Sequence, residues 1–185
     1  MRIINNIIMK RYVLTLVLAL ASLSAFCQNT IKFLGIPIEG TKKEMIAKLQ
    51  AKGYEYNSYS DELRGEFNGQ DVTISVQTVN NRVWRLAIID ITGRDEADIK
   101  IRFNKLYEQF LNNAKYKLAG GSQLKESEDI SYQMTVNNKR YDACFTFIDN
   151  SINGCVWYTI TEQFGRYKIA MFYENLDNAA NGDDL

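Results

Sequence analysis

Residues 66–91 read EFNGQDVTISVQTVNNRVWRLAIIDI, and the reading of this stretch decides the fold. Asn68-Gly69 is the strongest short hairpin signal available, because both central residues of a type I′ turn need positive φ. After it, Val72, Ile74 and Val76 alternate with Thr73, Ser75 and Gln77, the period of a strand with one wet face. Asn80-Asn81 turns the chain again into residues 82–91, where Leu86-Ala87-Ile88-Ile89 suggests a central strand buried on both faces. A two-residue turn pairs Val79 with Arg82, and continuous pairing then sets Val72 opposite Ile89 and Ile74 opposite Ala87, under a helix. The same register places Trp84, Leu86 and Ile88 on the other face, opposite Gln77, Ser75 and Thr73.

Working outward, Thr41-Lys42-Lys43-Glu44 has capping-box spacing and opens a helix with the apolar stripe Met45, Ile46 and Leu49. Gly53 is its left-handed stop, and short strands are expected at 54–58 and 63–67. Downstream, Ile99, Phe103, Leu106, Tyr107 and Phe110 recur at helical spacing within 95–113. Strands follow at 116–119, 131–136, 139–148, 155–161 and 166–173, with a polar loop at 120–129, a turn at Asn137-Asn138 and a wider loop at 149–154. Asn68-Gly69 overlays Asn137-Asn138, and Asn81-Arg82-Val83-Trp84 overlays Gly154-Cys155-Val156-Trp157, a weak internal repeat. The expected class is α+β: two tandem helix plus antiparallel β-meander units, halves at about 33–92 and 95–174, with helices packed on one face of the sheet.

At 185 residues one domain is the first expectation. The chain has no histidine, which removes the commonest general base and metal ligand and argues against zinc and His-assisted nucleophile sites. No cofactor or metal is expected. Arg2, Lys10 and Arg11 precede an uncharged run over 12–26 that ends in small residues, the pattern of a secretory signal peptide. Cleavage before Gln28 discards residues 1–27; the rival reading makes Cys27 a lipidated anchor, and a start at Met9 gives a tidier leader. The run is too short to serve as a transmembrane anchor after cleavage. Of 22 basic and 22 acidic groups, 19 and 22 then remain, a balance that disfavours nucleic acid. The expected location is periplasmic or secreted, and residues 175–185 are expected to form a flexible tail.

The helix-plus-meander order repeated over the exported chain resembles beta-lactamase-inhibitor-protein-like tandem domains, whose relatives include small outer-membrane assembly lipoproteins. The Phe26-Cys27-Gln28 leader end, Phe33-Leu34-Gly35-Ile36-Pro37-Ile38 and the tail from Asn178 to Leu185 resemble small exported Bacteroidetes proteins of unknown function. The first resemblance implies a sheet face that grips a partner protein, though a shared fold does not carry function. The second implies no activity.

Candidate chemistry is sparse. Trp84, Leu86 and Trp157 are read as a binding surface, since an indole supplies much contact area at little entropic cost; the alternative is two tryptophans inside one core or at a junction between the two copies. Cys144 and Cys155 share that face by parity and are candidates for a disulfide, or for two free thiols. Extending the first hairpin's register to the second sets Cys144 against Thr159 and Cys155 against Ile148, too far apart to bond. Glu66 and Asp71 fall opposite one another, but a wet hairpin tip lacks walls to raise a carboxyl pKa. The reading is therefore a non-enzymatic binding module for an unknown protein partner in the envelope or outside the cell. Glycan or small-ligand binding on the aromatic face is the alternative, and a carboxylate hydrolase a distant third.

Overall fold

The computed structural model describes residues 30–179. The leader with Cys27, the second start at Met9 and the tail from 180 onward lie outside the described residues. A small hairpin, β1 (Lys32–Phe33) and β2 (Ile36–Pro37), leads to α1 (Lys42–Gln50). Then come β3 (Glu55–Asn57), β4 (Glu62–Phe67), β5 (Gln70–Val79) and β6 (Arg82–Asp90). After α2 (Glu96–Leu111) follow β7 (Tyr116–Gly121), α3 (Ile130–Thr135), β8 (Asp142–Phe147), β9 (Gly154–Gln163) and β10 (Arg166–Asn175).

Local chemistry sets the helix starts. Glu44 Oε2 accepts the Thr41 N–H at 2.8 Å while the Thr41 hydroxyl accepts from the Glu44 N–H at 3.3 Å, so both arms of the capping box form. Gly53, at φ +95°, marks the left-handed stop. Asp95 caps α2 by accepting the Asp98 N–H at 2.9 Å, and the expected stripe from Ile99 to Phe110 is buried. Arg102 is buried on the same helix and shares Asp90 Oδ2 with Arg94, at 3.4 and 2.8 Å.

Eight strands form one antiparallel sheet in the order β3-β4-β5-β6-β10-β9-β8-β7, so the chain is α+β. Sequential strands are neighbours on each side of the β6–β10 seam. α1 packs on β5 and β6, and α2 on β7 and β10. Met45, Leu49, Phe103 and Phe110 join Ile74, Leu86, Ile88, Phe145, Tyr158 and Met171 in one hydrophobic cluster. No helix of the described residues is long and apolar enough to cross a membrane.

Three expectations are corrected. The β5–β6 pairing begins as expected, with Val79 opposite Arg82, but a bulge between Gln77 and Thr78 skips Trp84. Beyond it Ile74 faces Ile88, Val76 faces Leu86 and Ser75 faces Ala87. Leu86 and Ile88 therefore point into the core, because an odd extra residue reverses every later side chain. Residues 131–136 are not a strand. Asp129 accepts the Tyr132 N–H at 2.8 Å, Glu96 accepts the Ile130 N–H at 2.9 Å, and Ile130 is fully buried, so α3 forms there. Asn137-Asn138 thus follows a helix instead of joining two strands, and its overlay on Asn68-Gly69 fails. Asn175 and Asn178, expected in the flexible tail, are instead held: Asn175 donates to the Ile38 carbonyl at 2.7 Å and Asn178 to the Val83 carbonyl at 2.8 Å.

Candidate functional site

The face of the sheet opposite the core residues carries the candidate site. Pairing aligns its side chains into rows across β5, β6, β10, β9 and β8. One row runs Gln77, Arg85, Glu174, Cys155, Thr146 and the next Ser75, Ala87, Phe172, Trp157, Cys144. A third runs Thr73, Ile89, Ala170, Thr159, Asp142. Most of these residues are half-buried, with Ala87, Ala170 and Glu174 more deeply covered.

The bulge shapes the first two rows. It lets Trp84 sit beside Arg85, whose guanidinium carbon lies 4.0 Å from the Trp84 ring centre and 5.3 Å from that of Phe172. Phe172 in turn stacks on its cross-strand partner Trp157, with ring centres 4.1 Å apart and planes inclined by 21°. The four side chains make one stack from β6 to β9, in which each cation–π contact is worth about 0.5–2 kcal/mol.

Glu174 locks the stack from below. Its Oε1 accepts from Arg85 Nη2 at 2.6 Å and from Trp157 Nε1 at 2.7 Å, and its Oε2 accepts from the Cys155 thiol at 3.5 Å. Arg85 also donates to Gln77 at 3.5 Å, while its shielded Nε finds no acceptor among the described residues. Burial, and then the Glu174 charge, push the Cys155 thiol up to about 12, so it stays protonated at neutral pH. Burial also raises the Cys144 thiol, partly offset by the neighbouring Cys155 side chain.

Two of the three sequence-derived binding residues, Trp84 and Trp157, thus come together through Arg85 and Phe172. Leu86 does not: it is fully buried on the core side, and the bulge is the reason. Trp157 lies on β9, one strand beyond the seam partner β10, so it does not match the place of Trp84 on β6. Cys144 and Cys155 are free thiols on adjacent strands; Cys144 faces Trp157 and Cys155 faces Thr146, closer than the expected register allows. Glu66 and Asp71 do pair across β4–β5, and both are exposed at the hairpin tip. Among the described residues no group of three or more Cys, Asp or Glu side chains converges as a metal site.

Sequence reasoning missed Arg85, Phe172, Glu174 and Phe164. Phe172 and Glu174 alternate with buried Met171 and Tyr173, a parity visible once β10 is anchored to β6. Phe164 had the plainest signal. The β9–β10 turn is Phe164-Gly165, with φ of +54° and +71°, where the other two-residue turns of the large sheet use Asn68-Gly69 and Asn80-Asn81. A phenylalanine occupies the left-handed position that asparagine fills elsewhere, and its side chain is 92% exposed. Toward the β3 edge, the third row continues through Arg64 and Glu55 into an open depression of about 560 Å³ lined by polar residues, Tyr56 and Leu63.

No protein-family model, curated protein or solved structure matches the chain.

Proposed function

We propose that this chain is an exported, non-enzymatic binding module that grips a protein partner in the bacterial envelope or outside the cell through its outer sheet face. In this reading the two helix-plus-meander units are tandem copies that merge their sheets at the β6–β10 seam. The helices share one face and leave the other open, as the resemblance to beta-lactamase-inhibitor-protein-like domains implies.

One observation carries the proposal: the rigid stack of Trp84, Arg85, Phe172 and Trp157, buttressed by Glu174, on a face that no described segment buries fully. Preformed aromatic and arginine clusters are what protein interfaces use as anchors, because little side-chain entropy remains to be lost on binding. Phe164 supports the same reading, since its exposed ring sits on a backbone that disfavours it. The signal-peptide pattern of residues 1–27 supports the location.

Affinity capture from an envelope extract tests this. A partner retained by the unaltered chain and lost with Trp84→Ala is expected. Equal retention by both, or no specific protein in repeated captures, speaks against the assigned face. The second reading is a glycan ligand, favoured by the polar depression of about 560 Å³ on the same face. Oligosaccharide titration that changes tryptophan emission supports it over the first.

A further inference from the structure

We propose that Cys144 and Cys155 form an exchangeable dithiol site, which a low-molecular-weight disulfide such as glutathione disulfide converts to an intramolecular β8–β9 disulfide beside Trp157. This goes beyond the binding reading and stands without it. Cys144 pairs with Trp157 and Cys155 with Thr146, so the two sit one row apart on the same face of adjacent strands. Each is partly exposed and unbonded, and each thiol perturbs the titration of the other. A small disulfide therefore reaches a site where a second thiol already waits.

The neighbours assign the order of attack. Cys155 directs its S–H at Glu174 Oε2, 3.5 Å away, and that carboxylate opposes a second negative charge. The Cys144 thiol has no carboxylate at hydrogen-bond distance among the described residues; burial raises it as well, but the neighbouring Cys155 side chain partly offsets that rise. In the first step Cys144 loses its proton to solvent and its sulfur attacks one sulfur of glutathione disulfide. The disulfide bond breaks, and one glutathione leaves as thiolate and takes up a proton. In the second step Cys155 loses its proton to solvent, its sulfur attacks the Cys144 sulfur, and the mixed disulfide breaks to expel the second glutathione as a thiolate that takes up a proton. Two protein thiols are oxidised, and one glutathione disulfide is reduced to two glutathione molecules.

Cα atoms of residues one row apart on antiparallel strands lie about 7–8 Å apart, just beyond the Cα range a disulfide accepts. Closure asks β8 and β9 to slide slightly, so the bond is strained and readily reduced, a reversible modification. It also takes the Cys155 S–H away from Glu174, the residue that holds Arg85 and Trp157 in place.

The test uses the full chain with Cys27→Ser, so that only this pair is counted. Incubated with glutathione disulfide at mildly alkaline pH, the protein is expected to lose two hydrogens in intact mass and both titratable thiols. Dithiothreitol is expected to restore them. The Cys155→Ser variant is expected to stop as a stable glutathione adduct on Cys144. A stable glutathione adduct on the unsubstituted pair, or two thiols that never react while the protein is folded, overturns the site. An adduct formed in Cys144→Ser but not in Cys155→Ser overturns the order of attack.

Discussion

Replacing Phe164 by asparagine is expected to stabilise the protein while weakening its binding. The ring is 92% exposed, and an aromatic side chain buries at most about 150–250 Å², so removing it forfeits less than about 0.5 kcal/mol at about 25 cal/mol/Å². The backbone contributes the larger effect. At φ +54° Phe164 occupies the left-handed region, which costs an L-residue with a bulky side chain roughly 1–2 kcal/mol. Asparagine tolerates that region, and Asn68 and Asn80 adopt it at the equivalent turn position, with φ of +52° and +49°. The Gly165 N–H bond to Glu162 Oε1, at 2.6 Å, is left intact. The net expectation is a gain of about 1 kcal/mol, seen as a higher urea midpoint with unchanged slope and a Tm raised by about 2–4 °C. Phe164→Ala, which keeps the unfavourable φ, is expected to be near neutral. A clear loss of stability in Phe164→Asn would refute the claim that this tip is held under strain.

Other perturbations separate the observed register from the simpler one. Leu86→Ala is expected to cost about 2–5 kcal/mol in urea unfolding, as for any fully buried leucine, whereas a cost within about 0.5 kcal/mol would return Leu86 to the outer face. Asp90→Ala is expected to destabilise by about 3–5 kcal/mol, because it leaves Arg102 and Arg94 without their shared carboxylate; a cost below about 1 kcal/mol would mean the cluster is solvated. Glu174→Gln is expected to speed the reaction of Cys155 with a thiol reagent at a given pH, since it removes the charge that opposes the thiolate; an unchanged rate contradicts the assigned contact. On acidification, hydrogen bonds from the Thr41 backbone and hydroxyl hold the Glu44 carboxyl below its ordinary value, and hydrogen bonds from Lys42 and Tyr56 do the same for Asp61. Their stabilising effect is therefore full above about pH 5 and fades as pH falls through about 4 and below. Glu44→Gln is expected to flatten that decline in chemical unfolding at a series of pH values, and a parallel, unflattened decline would contradict it.

Much of the frame is legible in the chain because it rests on local chemistry. Capping residues Thr41 and Asp95, the Asn68-Gly69 and Asn80-Asn81 turns and the alternation of β5 all act within a few residues. What sequence hides is set at longer range. Residues 131–136 mix β-branched and aromatic side chains and read as a strand, yet six residues cannot hold a helix by propensity alone. The Glu96 contact and the burial of Ile130 decide α3 instead. The bulge beside Thr78 has no compositional mark, and one skipped residue was enough to move Leu86 out of the site and bring Arg85 into it. Glu174 and Phe172 meet Trp157 across the β9–β10 hairpin, but they reach Arg85 only through the β6–β10 seam, which joins strands far apart in sequence.

The proposed function requires that the face carrying Trp84, Arg85, Phe172 and Trp157 meet a partner protein. Placing a photo-crosslinking side chain at Thr161, exposed on β9, and separately at Lys105, exposed on α2, tests it in the cells that make the protein. One discrete protein adduct is expected from position 161 and none from 105. An adduct from 105 alone, or none from either position, would contradict it.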